Sequence, residues 1–330
     1  MSPAACSEPL TLNRLTSIHI GLGCCIASAI GYALANTMLR SLSVSADHIL
    51  TICIKESVTT VLVGPVLLML TLLGRFTWPN RRCMIVLLVA GLITQIGGNI
   101  PVLWSFSVIG MSVATPIYLG MNLVGSAILG RIFLKEPVCV RTMCAIGLLV
   151  TSVVLLKLGG SGASDLEPAN MSKQILATAA AVLGGFCFAI LAVSIRYALL
   201  TSHAPKASSF WTVVFMIPAA GTYILGPLFF FQSGLEALTT VPLMAYGKML
   251  LAGLANFVAF VLLSKGLHMI PVVLVNVTNT TQVAMGALLG ILIFHEQVSV
   301  WFFAGLLTAI AGVLLIGSKN RKKNKVCIAD

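Results

Sequence analysis

Charge is what this chain has least of. Of its 330 residues only 9% are Asp, Glu, Lys or Arg, and only nine are acidic, whereas a soluble domain carries roughly 25% charged residues. So few ionisable groups cannot cover a soluble globule of this size, which excludes a soluble enzyme, a disordered chain and a nucleic-acid binder. Catalytic signatures are missing too. There is no G-x-x-x-x-G-K-[ST], no H-E-x-x-H and no G-x-S-x-G, so nothing points to nucleotide hydrolysis, zinc catalysis or a serine nucleophile. The nine cysteines include no C-x-x-C pair and no Cys/His ligand spacing, and most lie in apolar runs as small packing residues. The expected cofactor set is empty, no metal is expected, and the chain reads as no enzyme.

What the chain has in quantity is apolar sequence: 58% hydrophobic residues and a mean hydropathy of +1.04. A helix crosses the hydrocarbon core in about 20 residues. Apolar runs of that length recur ten times, at about Ser17–Leu39, Ile49–Leu73, Met84–Phe106, Val113–Leu134, Val138–Leu158, Ile175–Leu199, Ser208–Phe231, Met244–Leu267, Pro271–Phe294 and Val298–Gly317. The reading is an all-α integral membrane protein of ten transmembrane helices. The first run is too long for a signal-peptide core and is read as a retained helix. The connection between the third and fourth runs and that between the ninth and tenth are the shortest, which makes those neighbours antiparallel hairpins.

The one longer linker, GGSGASDLEPANMS at Gly159–Ser172, falls near mid-chain. It suggests a cytoplasmic N-terminal segment at 1–16, a five-helix half at 17–158, an exterior linker at 159–172, a second five-helix half at 173–317 and a basic cytoplasmic tail at 318–330. With the N-terminus inside, fifteen basic residues fall on the cytoplasmic side and only Arg40, Lys157, Lys173 and Lys248 on the other, with Lys55 inside a span. The positive-inside rule then places both termini in the cytoplasm, with the plasma (inner) membrane as the expected location.

The halves carry a repeat. Ala127–Leu156, AILGRIFLKEPVCVRTMCAIGLLVTSVVLL, aligns with Ala287–Ile316, ALLGILIFHEQVSVWFFAGLLTAIAGVLLI, so that Gly130 pairs with Gly290, Glu136 with Glu296 and Val138 with Val298. A weaker match sets Tyr32, Ala33 and Arg40 over Phe188, Ala189 and Arg196. Five helices per repeat is an odd number, so equivalent helices cross in opposite directions. Inverted repeats of this kind are the architecture of secondary transporters. The two elements, with LGRIFLKEPV opening one and LGILIFHEQV the other, resemble the end of each half in the drug/metabolite transporter superfamily, EamA type. Lys135 and His295 depart from the small residue usual before the Glu, and Ser152 stands where the second copy has Gly312. The resemblance implies import or export of a small metabolite through a central cavity without ATP. It leaves the substrate open, a small polar metabolite or a sugar derivative.

Within this frame several residues ask for a reason. Glu136 and Glu296 sit at the turn before the last helix of each half, where a carboxylate is favoured by the helix dipole; gating is the alternative. Lys55 and Glu56 are the adjacent ionisable pair well inside a span, roughly 10 Å in from His48 at about 1.5 Å per residue. A charge at that depth costs on the order of 3 kcal/mol, so such residues face a cavity or a partner. Consecutive positions point about 100° apart on a helix, so the two are not expected to pair side by side. Burial favours a carboxyl's neutral form, making Glu56 the candidate proton-coupling residue; the alternative has Lys55 snorkelling outward while Glu56 bonds a neighbouring helix.

Arg40 ends the first run on the side poor in basic residues. It is a candidate for binding a carboxylate-bearing substrate, or else it touches lipid headgroups. In the ninth run, Asn276, Asn279 and Thr280 fall at i, i+3 and i+4 on one face, with Gln282 off to the side. By helix, the resemblance extends the candidate cavity lining to Tyr118 and Asn122 on the fourth, Gln95, Asn99 and Trp104 on the third, and Asn256 on the eighth. Trp104, Tyr118 and Trp211 are the aromatics available to stack on a sugar. Ser126-x-x-x-Gly130 and Gly286-x-x-x-Gly290 read as close packing seams. Pro65, Pro101, Pro116, Pro218 and Pro271 mark helix starts or kinks. The expected partners are a small-molecule substrate, the lipid bilayer and a second copy in a homodimer, with no nucleic acid. A membrane receptor or assembly factor that moves nothing is the rival from another class.

Overall fold

The computed structural model describes residues 8–136, 171–202, 204–234, 236–294 and 299–317, with isolated positions between 143 and 155. Among the described residues there are helices and no strand. They are α1 (Glu8–Leu42), α2 (His48–Leu72), α3 (Arg81–Ile93), a π-helical turn (Thr94–Asn99), α4 (Ile100–Ile109), α5 (Met111–Phe133), α6 (Met171–Thr201), α7 (Lys206–Ser233), the short α8 (Glu236–Thr240), α9 (Leu243–Met269), α10 (Val272–Asn279), α11 (Thr281–Phe294) and α12 (Val300–Gly317). Seven stretches among them are long and apolar enough to cross a membrane, α3 to α4 counting as one. The ninth and tenth apolar runs hold α10 with α11, and α12. Most of the fifth run lies outside the described residues. The first helix begins at Glu8, ahead of the apolar run.

Local chemistry sets the ends. The Asp47 carboxylate accepts the Leu50 N–H at 2.9 Å and the Asn80 amide oxygen accepts that of Cys83 at 3.0 Å, each satisfying a donor that the first turn leaves open. Between α4 and α5 the chain turns on one residue, Gly110, at φ 75°, a conformation in which any Cβ is strained.

Two of the expected membrane helices are broken within their length. In the third run, Pro101 lacks the N–H that would bond four residues back and its ring crowds that carbonyl. Ahead of it the helix widens into the π turn, where the Ile100 N–H donates to the Gln95 carbonyl. In the ninth run the helix ends at Asn279 and restarts at Thr281, the Thr280 N–H donating to the Asn276 carbonyl at 3.0 Å.

Helices of the first half pack on helices of the second: α1 against α9, α2 against α7 and α5 against α6. The seams are lined by small residues. A methyl group on Gly31 would stand 2.9 Å from the Ala259 Cβ, and one on Gly185 would overlap the Tyr118 carbonyl oxygen. The Ser28 hydroxyl donates to the Ala259 carbonyl at 2.8 Å across the α1–α9 seam. The seams predicted at Gly130 and Gly286 are not among the tight ones. Added methyl groups there would find nothing nearer than 3.9 Å and 3.8 Å, because the close helix approaches run through Gly31, Gly125, Gly184 and Gly185 instead. Leu62, Val66, Leu68, Met69 and Leu72 of α2 point outward, as do Ile85 and Leu88 of α3. Apolar side chains belong on the outside when the surrounding solvent is hydrocarbon.

Candidate substrate cavity

A cavity of about 980 Å³, counting the space where it opens to solvent, lies between α1, α2, the π turn, α4 to α7 and α9 to α11. Its apolar wall includes Leu103, Phe106, Phe188 and Phe260. Its polar wall falls into two groups.

The first group is built on α2 and the π turn. Lys55 and Glu56 are 3% and 4% exposed, and Lys55 Nζ lies 2.8 Å from Glu56 Oε1. The sequence expectation that these neighbours do not pair is thus overturned. Their Cα–Cβ directions do diverge by about 100°, but the flexible stems of Lys and Glu span that divergence when both heads are kept from lipid. The snorkelling alternative fails with it, since Lys55 Nζ also donates to Asn99 Oδ1 at 3.2 Å. Asn99 Nδ2 in turn donates to Gln95 Oε1 at 2.7 Å and to Glu56 Oε1 at 3.4 Å, and Gln95 Nε2 reaches the Ile217 carbonyl of α7 at 3.4 Å. The widened turn sets Gln95 and Asn99 together against α2, a use of π geometry often met at functional sites.

The second group lies where α5 meets the α10/α11 break. Asn276 Nδ2 donates to Ser126 Oγ and, at 3.5 Å, to Asn122 Oδ1. Ser126 Oγ donates to the same Asn122 oxygen at 3.2 Å. Asn279 and Gln282 complete the group on the cavity wall. Between the groups, Asn36 Nδ2 donates to the Tyr118 hydroxyl at 2.9 Å, and the Tyr118 ring lies 5.7 Å from that of Phe188 and 6.4 Å from that of Phe106.

Residues 175–318 match the EamA-like transporter family. A solved crystal structure superposes on this chain with a TM-score of 0.61, covering 91% of this chain and 96% of that one at 13% identity; the likeness is one of fold. No curated protein matches. The EamA-like transporter family is part of the drug/metabolite transporter superfamily, and the seven long apolar stretches among the described residues mark the chain as a multi-pass membrane protein.

The segment matching that family model supplies Phe188, Asn256, Asn276, Asn279 and Gln282 to the cavity, and the preceding part of the chain supplies Glu56, Gln95, Asn99, Tyr118 and Asn122. Three of the candidate lining residues stand elsewhere. Trp104 is half-buried and packs against the apolar core. The Thr280 hydroxyl turns back to the Val277 carbonyl at the helix break. Arg40 is only 3% exposed, which removes the headgroup reading, and it is not on the cavity wall. Trp211 is 38% exposed on the outside of α7. Gln282, expected off to the side, faces the cavity, because the break at Thr280 resets the helical phase that the i, i+3, i+4 count assumes.

Sequence reading also missed Tyr32, Asn36 and Thr94. Tyr32 and Asn36 are one turn apart on α1, and Tyr32 is the repeat mate of Phe188, so a signal for both was present.

Glu136 caps a helix of the second half. Its Oε2 accepts the Val272 N–H at the start of α10 at 3.0 Å, and its Oε1 pairs with Arg196 Nε at 3.1 Å. The Arg196 Nη1 group donates to the Leu267 carbonyl near the end of α9 at 2.6 Å. Arg196 therefore ties two helices of the second half to the turn before residue 137. Gly290 lies in α11, and Glu296 lies outside the described residues.

Proposed function

We propose that this protein is a ten-helix secondary transporter, built as two inverted five-helix halves, that carries a small polar organic metabolite across the membrane by alternating access. The observation that carries the reading is a polar cavity holding a buried ion pair, walled by both halves of a bundle whose outer face is apolar. Such a site at the interface of two halves is where secondary transporters bind solute, and intramembrane ionisable residues mark transport pathways. Both termini are cytoplasmic, the membrane is the plasma (inner) membrane, and flux is coupled to protons through Glu56 or to exchange of solute.

The test is efflux from proteoliposomes loaded with amino acids, sugars, nucleosides and organic acids, read by mass spectrometry with and without a pH gradient. Loss of one solute class only when protein is present supports the reading. No flux from folded, inserted protein overturns it in favour of a receptor or assembly factor.

A further inference from the structure

Two apolar clusters flank the cavity, and each is built around a sharp corner of the chain. At one, Phe106, Ile109 and Met111 surround the Gly110 turn between α4 and α5. At the other, Leu267, Ile270 and Val272 surround the step between α9 and α10, where Ile270 is extended at φ −132° and ψ 159°. These three side chains are at most 1% exposed, and their cluster runs on to the cavity wall at Ile195 and Phe260. Helix α5 starts beside the first corner and ends 23 residues later, just before Glu136, whose carboxylate bonds the second. At about 1.5 Å per residue this sets the corners about 34 Å apart, at opposite ends of the bundle.

Glu136 and Arg196 clamp the second corner on both of its sides. The Val272 N–H and Arg196 Nε both donate to the Glu136 carboxylate, and Arg196 Nη1 donates to the Leu267 carbonyl. The Val272 N–H is a donor left open by the first turn of α10, and the Leu267 carbonyl an acceptor left open by the last turn of α9. The clamp is therefore whole only while the corner lies against α6 and the turn after α5. The carboxylate and the guanidinium are each 12% exposed, which puts them at the rim, where water takes over their bonds once the corner moves away.

The element that can move is α10. It has eight residues, about 12 Å of helix, and a break at each end: Pro271 at its start and Thr280 at its finish, where α11 takes over. Breaks at element ends are where backbones absorb the angle changes of a hinge. We infer that α10 is a lever closing this end of the cavity and that the Glu136–Arg196 pair is its latch. With the latch made, Leu267, Ile270 and Val272 seal the corner. On its release α10 swings on the Thr280 break, the seal parts, and the cavity opens here, on the cytoplasmic side in the orientation proposed above. This rests on the alternating-access reading and names the element that moves and the bonds that hold it. Because one end closes as the other opens in alternating access, release of the latch tightens the Gly110 corner.

The experiment is amide hydrogen exchange of the full chain in lipid nanodiscs, read by mass spectrometry with no solute added. Two variants release the latch in different ways. Glu136→Gln keeps an acceptor for Val272 and removes the charge that holds Arg196. Val272→Pro keeps the ion pair and removes the N–H it serves. Residue 272 is the first of α10, where proline is well tolerated, and Pro271 before it already stands at ψ 148°, as a residue preceding proline should. Each variant is expected to speed exchange in peptides from 266–278 on the order of 10-fold, the worth of one hydrogen bond to a charged group, and to slow exchange in peptides from 104–116. The slowing at the distant corner is what a merely structural tie would not produce. Faster exchange at 266–278 without slowing at 104–116 overturns the lever, as does faster exchange at both corners or no change in either variant. Reciprocal exchange in a protein that moves no solute from the loaded proteoliposomes keeps the lever and removes transport. Solute efflux without reciprocal exchange keeps transport and removes the lever.

Discussion

Two of the ion pairs among the described residues differ in what else they hold. Lys55 and Glu56 are sequence neighbours on one helix, and their further bonds go to side-chain amides of the π turn on the cavity wall. Glu136 lies in the turn after α5 and Arg196 on α6, and their further bonds go to backbone groups at the end of α9 and the start of α10. Backbone groups at helix ends cannot be satisfied elsewhere without moving the helices. Amide side chains can turn to a ligand at little cost. A pair tied to helix ends therefore holds architecture, while a pair tied to amides in a cavity is free to change partners.

The comparison can be broken by substitutions, ranked here by expected loss of thermal stability in detergent. Glu136→Ala should cost most, about 3 kcal/mol, because it strands the Arg196 guanidinium in a largely buried setting; Glu136→Gln, which keeps an acceptor for Val272, should recover part of that loss in the same melting experiment. Gly185→Ala comes next at about 2 kcal/mol, since its methyl group would overlap the Tyr118 carbonyl on a rigid seam. A melting temperature that does not move would mean that α5 and α6 slide apart easily.

Asn276→Ala removes the amide that bridges Asn122 and Ser126 and should cost about 1 kcal/mol, with a visible change in any solute competition assay. The paired Lys55→Met, Glu56→Met change should alter stability by no more than about 1 kcal/mol in either direction, because replacing both members of a buried pair with apolar groups is often neutral. A collapse of the fold in that variant would show that the first pair is architectural after all, and would erase the contrast with the second. Gly130→Ala sharpens the packing side of the argument. With nothing nearer than 3.9 Å to the added methyl group, it should leave the protein unchanged or stabilise it by about 0.5 kcal/mol, whereas a close seam at that glycine would lower the melting temperature.

What the sequence determined by itself is the solvent, the element type and the inventory of polar groups available to a cavity. Hydropathy adds up along a segment, and a backbone in lipid must bond within itself, so long apolar runs can only be helices. The likeness of residues 175–318 to the EamA-like family was legible too, in LGILIFHEQV and the apolar run after it. Most of the cavity's polar residues were also visible, because an Asn or Gln inside an apolar run has few other uses.

What only the tertiary structure decided is convergence. Trp104 and Gln95 lie in the same run, yet one packs in the core and the other meets Asn99 on the cavity wall, because the π turn shifts the phase between them. Gln282 faces the cavity for the related reason that α10 stops at Asn279. Neither break can be read from a regular 3.6-residue count. The partners of Glu136, 60 and 136 residues away in Arg196 and Val272, were out of reach for another reason. Hydropathy is a local sum, whereas an ion pair between distant segments depends on the packing of the whole bundle, set here by Gly31, Gly125 and Gly185 at the seams. Lys55 and Glu56 were found as a pair of charges and misjudged as to contact, since helix geometry fixes where a Cβ points but not where a four-carbon stem ends when lipid surrounds the alternatives.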